Sequence, residues 1–165
     1  HFDHIGQSNF IKTQLGGVPI YLHQNDKTLY EALPQQGFFF GEKIEPPKPV
    51  DDYIEDDQRF SLTISKSPIK DQRIIEVLKT IYTPGHTEGS CSFYMDCLET
   101  PILFSGDTLF HESIGRTDLP GGDYNQIIKS IKQRILKLPE ETVCIPGHGP
   151  NTSLFHEKKH NQFLK

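Results

Sequence analysis

The sequence contains no run of apolar residues near the roughly 18 that a membrane-spanning helix needs. It also has no excess of basic residues, because 17 Lys and Arg stand against 22 Asp and Glu and give a formal net charge of -5. Nucleic-acid-binding domains are usually basic. We therefore expect neither a nucleic-acid partner nor a membrane contact. No secretory signal segment is visible.

Cysteine is scarce as well. The three cysteines, Cys91, Cys97 and Cys144, are odd in number and form no CxxC pair. This pattern argues against a disulfide framework and predicts a cytoplasmic protein. Cys91 and Cys97 alternate with Phe93 and Met95 along a predicted strand, so we interpret the thiols as small core residues in preference to a catalytic nucleophile.

The 165 residues predict one domain, 1–165, that is long enough to bury a core. The first part of the chain predicts, in order, a helix at 9–15, a strand at 18–22, a helix at 25–33 that Pro34 ends, and a loop at 41–58. This loop is rich in proline and acidic residues. We expect a plain exposed connection in preference to a mobile lid.

The rest of the chain is rich in predicted strands. They lie at 60–64, 73–82, 91–95, 102–104 and 143–145. Asp123 is typical of a helix N-cap, and apolar residues then recur at helical spacing from Tyr124 to Leu138, before Pro139. The opposite face carries Lys129, Lys132 and Lys137, which we interpret as a solvated surface. A polar helix at 156–164 follows. Strands mixed with amphipathic helices predict a layered α/β domain.

Three of these strands end in the same way. Each is an apolar strand, followed by a turn that contains glycine and then by one ligand-capable side chain: His86, Asp107 or His148. Glycine permits a tight backbone path, and the strand holds the next side chain on a rigid support. If the strands share one sheet and one direction, the three side chains emerge at the same edge.

The chain also begins with a cluster of ligand-capable residues: His1, Asp3 and His4. Singly, each motif is more often a structural turn, but all of them together favour a metal site. Imidazoles with carboxylates suit zinc, and iron or manganese are alternatives. The set exceeds what one tetrahedral ion needs. It therefore predicts two divalent metal ions bridged by a carboxylate and a hydroxide.

The ordered motifs H-x-D-H, P-G-H-T, S-G-D-T and P-G-H-G resemble those of the metallo-β-lactamase superfamily. The run from Ser113 to Asp123 is similar to that of short, single-domain glyoxalase II-like hydrolases, the hydroxyacylglutathione hydrolases. The resemblance extends over essentially the whole chain. It implies an αββα sandwich whose first strands would precede residue 1, so we expect this chain to be incomplete at its N-terminus.

The resemblance also implies a role for each candidate ligand. His1 and His86 would bind one metal ion, Asp3, His4 and His148 would bind the other, and Asp107 would bridge the two. Asp3 would in addition orient the nucleophile and act as the catalytic carboxylate. The family motif has one further histidine, two residues before His1, and Glu88 stands where relatives often carry proline.

The resemblance implies hydrolysis of a small-molecule thioester by a metal-bridging hydroxide. Two alternatives stay open: a persulfide dioxygenase with a single iron, and a chain without activity because one ligand is missing. Lactonase, phosphodiesterase and lactamase activities also occur on this scaffold, and a fold does not determine a substrate. The oligomeric state is left open.

Other histidines are tempting candidates. Residues 156–160 match the HExxH zincin pattern, but Lys158 and Lys159 provide no apolar face and no third ligand follows, so we expect a polar helix instead. We expect His23 to lie on the surface or to contact a metal ligand without binding the metal itself. His111 follows Asp107 closely enough to reach the site, and we expect it also to contact a ligand and not the metal. Arg116 is expected to anchor its loop through Asp118 in preference to facing a substrate.

Overall fold

The structure is a computed structural model that describes residues 1–65, 72–96 and 99–165. The chain divides into two compact units, a first unit at His1–Ile54 and a second unit at Glu55–Lys165. Both helices and strands are present, as the sequence predicts. The described ranges contain no helix with the length and apolar character that crossing a membrane would require. The single domain over 1–165 remains a prediction.

The first unit is mostly helical. Its elements are α1 (Phe2–Ile5), α2 (Ser8–Gln14), β1 (Tyr21–His23), a 3-10 helix (Gln24–Asp26), α3 (Lys27–Glu31), α4 (Leu33–Phe39) and β2 (Asp52–Ile54). Strands β1 and β2 pair in parallel, with Tyr21 opposite Asp52. The carboxylate of Asp51 holds the start of this pair, since it accepts the Ile20 N–H at 2.7 Å and binds the Lys12 ammonium.

Two sequence predictions in the first unit are wrong. Pro34 does not end a helix, because it lies in the first turn of α4, where its missing N–H needs no partner. The residues at 41–58 are not all loop, because β2 forms there by pairing with β1. The preceding segment is held in place, since Tyr30 donates its hydroxyl to the Lys48 carbonyl at 2.9 Å. Such long-range partners leave no local sequence pattern.

The second unit is built on a six-stranded sheet. Its strands are β3 (Arg59–Ser65), β4 (Gln72–Tyr82), β5 (Cys91–Met95), β6 (Ile102–Gly106), β9 (Val143–Pro146) and β10 (Thr152–Ser153), in the order β10-β9-β6-β5-β4-β3. A separate hairpin pairs β7 (Leu109–Phe110) with β8 (Ser113–Ile114). The helices are α5 (Tyr124–Gln133), α6 (Leu154–His160) and 3-10 helices at Ile135–Lys137 and Gln162–Leu164.

The strand directions confirm the expectation that three strands share one sheet and one direction. Strand β5 pairs antiparallel with both β4 and β6, and β9 pairs parallel with β6. Strands β4, β6 and β9 therefore run the same way. Their carboxyl ends therefore lie at one edge of the sheet, and the residues that follow each strand lie at this edge as well.

One face of the sheet forms the core of the second unit. Tyr94, Leu103 and Cys144 lie side by side on neighbouring strands, and all three are buried. Ile127 and Ile131 of α5 pack on them and have no exposed surface. Cys144 is fully buried, which confirms that it is a core residue, and this burial raises the pKa of its thiol to about 11. Cys91 is only half-buried, so its assignment to the core is not confirmed. Cys97 lies outside the described residues.

Helix α5 begins and packs as its sequence predicts. Asp123 accepts the Gln126 N–H at 2.9 Å and so caps the helix. Lys129 and Lys132 are exposed on the opposite face. The last predicted turn is instead a 3-10 helix, although Ile135 within it remains fully buried.

We expect Ile131→Ala to lower the free energy of unfolding by about 2–5 kcal/mol, because the lost methyl and methylene groups leave a cavity between α5 and the sheet. Urea denaturation followed by circular dichroism measures the change. Lys132→Ala, on the exposed face of the same helix, is the control and should shift stability by less than about 0.5 kcal/mol. Equal effects of the two variants would contradict the packing described above.

Candidate metal centre

Three of the predicted ligands meet at the carboxyl edge of the sheet in the second unit. His86 follows β4, Asp107 follows β6 and His148 follows β9. The Oδ2 atom of Asp107 lies 3.6 Å from Nε2 of His86 and 3.6 Å from Nε2 of His148. The three side chains thus meet at one edge, as the strand-end motifs predict, and one carboxylate oxygen is equally far from two imidazole nitrogens.

These distances fit metal ligands better than a direct hydrogen bond. An N–H that donates to oxygen normally lies within about 3.2 Å of it, and both contacts are longer. A tetrahedral zinc ion with ligands at about 2.0–2.1 Å separates its ligand atoms by about 3.3–3.5 Å. Two imidazoles and a carboxylate with this spacing therefore suit a divalent ion.

His86 is held in the form that a metal ligand needs. Its ring is almost fully buried, and Nδ1–H donates to the Arg116 carbonyl at 2.8 Å. Because a carbonyl can only accept, Nδ1 carries a proton, and Nε2 is the nitrogen that faces Asp107. A backbone partner of this kind fixes the tautomer and orientation of a ligating histidine. The sequence predicted His86 but not this role of the Arg116 carbonyl.

The turn that carries His86 is fastened to α5. Asp123 donates its N–H to the Gly85 carbonyl at 2.8 Å, and Ser130 donates its hydroxyl to the Pro84 carbonyl at 2.7 Å. Gly85 has a φ of +136°, and a Cβ there would overlap the backbone of Ile127. Glycine is required here both by the backbone conformation and by the close approach of the helix.

A buried group of hydroxyls lies beneath the same edge. The Thr83 hydroxyl lies 3.1 Å from that of Ser92 and 3.2 Å from that of Thr108, and none of the three side chains is appreciably exposed. These bonds join the ends of β4 and β5 to the residue after Asp107, so they help to fix the spacing of the ligands. Sequence reasoning missed them, although Thr83 and Thr108 adjoin the ligand motifs.

The turns that carry Asp107 and His148 are also joined. Gly147 donates its N–H to the Gly106 carbonyl at 2.9 Å. Gly115, from the segment after β8, lies so close to Asp107 that a Cβ would overlap the Asp107 carbonyl oxygen. The neighbouring Arg116 side chain donates to both carboxylate oxygens of Asp118 at 2.7 Å and holds the pKa of Asp118 at about 2. The predicted anchoring by Asp118 is confirmed.

The other predicted ligands belong to the first unit. Asp3 and His4 lie in α1, and His1 precedes that helix as its N-cap. Oδ2 of Asp3 lies 3.7 Å from Nε2 of His4. Their assignment to a common site with His86, Asp107 and His148 remains a prediction from the sequence motif.

The remaining histidines take other roles. His23 accepts the Asn25 N–H through Nδ1 and so caps the 3-10 helix. His111 stacks on His156, with 4.8 Å between ring centroids. In the HExxH match, Glu157 is fully buried and accepts hydrogen bonds from Thr152 and Asn161, so it cannot serve as a general base. The expectation that this pattern is not a zincin site agrees with this geometry.

We expect Gly115→Ala to reduce metal affinity by about tenfold or more, because the new methyl group displaces the segment that orients His86 and Asp107. Equilibrium dialysis with elemental analysis measures the bound metal. Lys129→Ala, at an exposed position of α5, is the control and should leave metal binding unchanged. Unchanged metal binding by Gly115→Ala would contradict a fixed role for this segment.

Comparison with known proteins agrees with this geometry. A profile of the metallo-beta-lactamase superfamily matches residues 1–148. The chain is 39% identical to the probable metallo-hydrolase YqgX of Bacillus subtilis, with 99% of this chain and 72% of that protein covered. It is 33% identical to the hydroxyacylglutathione hydrolase GloC of Haemophilus influenzae, again with 99% and 72% covered.

A solved structure is similar as well. The crystal structure of TTHA1623 in a di-iron-bound form matches with a TM-score of 0.81 and 36% identity, covering 99% of this chain and 73% of that one. The sequence motifs, the convergent strand ends and these relatives agree. The chain belongs to the metallo-β-lactamase superfamily.

Proposed function

We propose that this protein is a binuclear metal-dependent hydrolase that cleaves a small-molecule thioester of the hydroxyacylglutathione type. The observation that supports it most directly is the position of Asp107 Oδ2, 3.6 Å from one imidazole nitrogen on each side. A carboxylate shared between two histidines suits a ligand that bridges two ions. His86 and His148 would then hold different ions.

The resemblance to the superfamily supplies the rest of the ligand set. His86 and His1 would hold one ion, His148, Asp3 and His4 would hold the other, and Asp107 would bridge them. We propose zinc because imidazole and carboxylate ligands suit it. Iron is the main alternative, since the similar TTHA1623 has been crystallised in a di-iron-bound form.

Bound divalent ions supply a hydroxide near neutral pH by lowering the pKa of a water, and they polarise the substrate carbonyl. The chain's own residues prepare this chemistry. Asp107 places negative charge between the two histidines, and the Arg116 carbonyl keeps the proton of His86 on Nδ1. Asp3 is assigned the catalytic role, in which its carboxylate orients the nucleophile and accepts its proton.

The choice of thioester rests on the relatives and on the run at 113–123. GloC, at 33% identity, is named as a hydroxyacylglutathione hydrolase. Arg116 and Asp118 in this run pair with each other on the exposed surface, so the run's side chains restrain a loop beside His86. Hydrolysis releases a carboxylic acid and a thiol, because water adds across the acyl–sulfur bond.

The full chain should contain two metal ions per active molecule and should hydrolyse S-lactoylglutathione. Elemental analysis and the loss of thioester absorbance measure the two quantities. Asp107→Asn should lower both metal content and turnover, the latter on the order of 10²-fold or more, because it removes the charge between the two histidines. Asp96→Asn makes the same chemical change at an exposed position after β5, at the opposite edge of the sheet, and should keep both quantities near those of the unchanged chain.

Three outcomes would count against the proposal. Full activity with one ion per chain would exclude the binuclear mechanism. Oxygen consumption with glutathione persulfide, without thioester cleavage, would indicate a single-iron dioxygenase instead. Hydrolysis of lactones or β-lactams without thioester cleavage would agree with the proposed metal centre but would contradict the proposed thioester substrate.

A further inference from the structure

A second group of ligand-capable side chains lies between the β7–β8 turn and α6, both in the second unit. Nε2 of His156 and Oε1 of Glu112 are 2.8 Å apart. One ligand atom from each of His111, Glu112 and His156 lies within 4.8 Å of the other two. The His156 ring also stacks between His111 and His160, at centroid distances of 4.8 and 4.6 Å.

The backbone beneath this group is held by a buried carboxylate. Glu157 is fully buried, and it accepts the Glu112 N–H at 3.0 and 3.2 Å, the Thr152 hydroxyl at 2.6 Å and the Asn161 side-chain amide at 2.8 Å. Glu112 has a φ of +54°, which is unfavourable for a residue with a Cβ. The bonds to Glu157 stabilise this conformation and so fix the backbone position from which the Glu112 side chain extends.

The Glu112 side chain is directed outward, toward the histidines. A glutamate carboxylate is ionised at neutral pH, as a metal ligand must be. His111 and Glu112 are exposed and His156 is half-buried, so an ion from solvent can reach all three.

We propose that His111, Glu112 and His156 form a second binding site, separate from Asp107, for a divalent transition-metal ion such as zinc. Two imidazoles and one carboxylate are a common ligand set for zinc, with the fourth position taken by water. Binding would replace the proton that His156 shares with Glu112, and it would set the three ligand atoms about 3.3–3.5 Å apart, so the 2.8 Å His156–Glu112 pair would separate slightly.

The ion would fasten α6 to the β7–β8 turn. His111 and Glu112 form the two residues of that turn, and His156 lies in the first part of α6. His160 supports the His156 ring by stacking and is outside the three-ligand group. The ion would thus join these two elements, and the site does not depend on the proposed hydrolase activity.

The test uses zinc as the only added ligand. The protein is the full chain with Asp107→Asn, because this substitution weakens the metal centre at the sheet edge. Equilibrium dialysis should show one bound zinc ion per chain, and adding His111→Gln and His156→Gln should remove it or lower its affinity by about tenfold or more. His160→Gln is the matched control, because it removes a stacked histidine but none of the three ligands. It should leave the zinc affinity within about threefold.

A second measurement serves if Asp107→Asn does not fold. Zinc should raise the unfolding temperature of the otherwise unchanged chain more than that of Glu112→Gln. The double variant His111→Gln with His156→Gln should bind one ion fewer and should keep thioester hydrolysis. Equal zinc stoichiometry with and without these substitutions would overturn the proposal. So would an equal loss in His160→Gln, because the effect would then come from the stacked rings and not from ligation.

Discussion

The parallel pairing of β6 with β9 is the constraint on which the metal centre of the second unit depends. Two parallel strands need a long crossover between them, and residues 107–142 provide it. The crossover contains α5, which packs on the sheet and also donates hydrogen bonds to the Pro84–Gly85 turn. One connection therefore brings Asp107 and His148 to the same edge and fastens the turn that carries His86.

The centre combines polar groups that a protein core normally avoids. His86 is buried, and so are Thr83, Ser92 and Thr108, whose hydroxyls lie within hydrogen-bonding distance of one another. Such burial is unfavourable unless the groups are hydrogen-bonded. The hydroxyls satisfy each other, and the Arg116 carbonyl accepts from His86. A hydrogen-bonded support of this kind keeps ligand atoms at fixed spacing, which favours metal binding over local relaxation.

Much of the second unit could be predicted because its patterns are local. Asp123 caps α5, Ile127 and Ile131 face the core, and the five predicted strands are all present. Four strands of two or three residues were missed, β2, β7, β8 and β10, since they are too short to show a period. Pro34 was misread because proline is unfavourable inside a helix and yet acceptable in its first turn.

The sequence by itself determined the ligand types and where each one follows its strand: His86, Asp107 and His148 after glycine-containing turns. Only the tertiary structure decided that β4, β6 and β9 run the same way. It also decided that the Gly115 backbone lies against the Asp107 carbonyl and that the Arg116 carbonyl orients His86. Residue identity and spacing act over a few neighbours. Strand direction and backbone contacts between distant segments arise only when the whole sheet is packed.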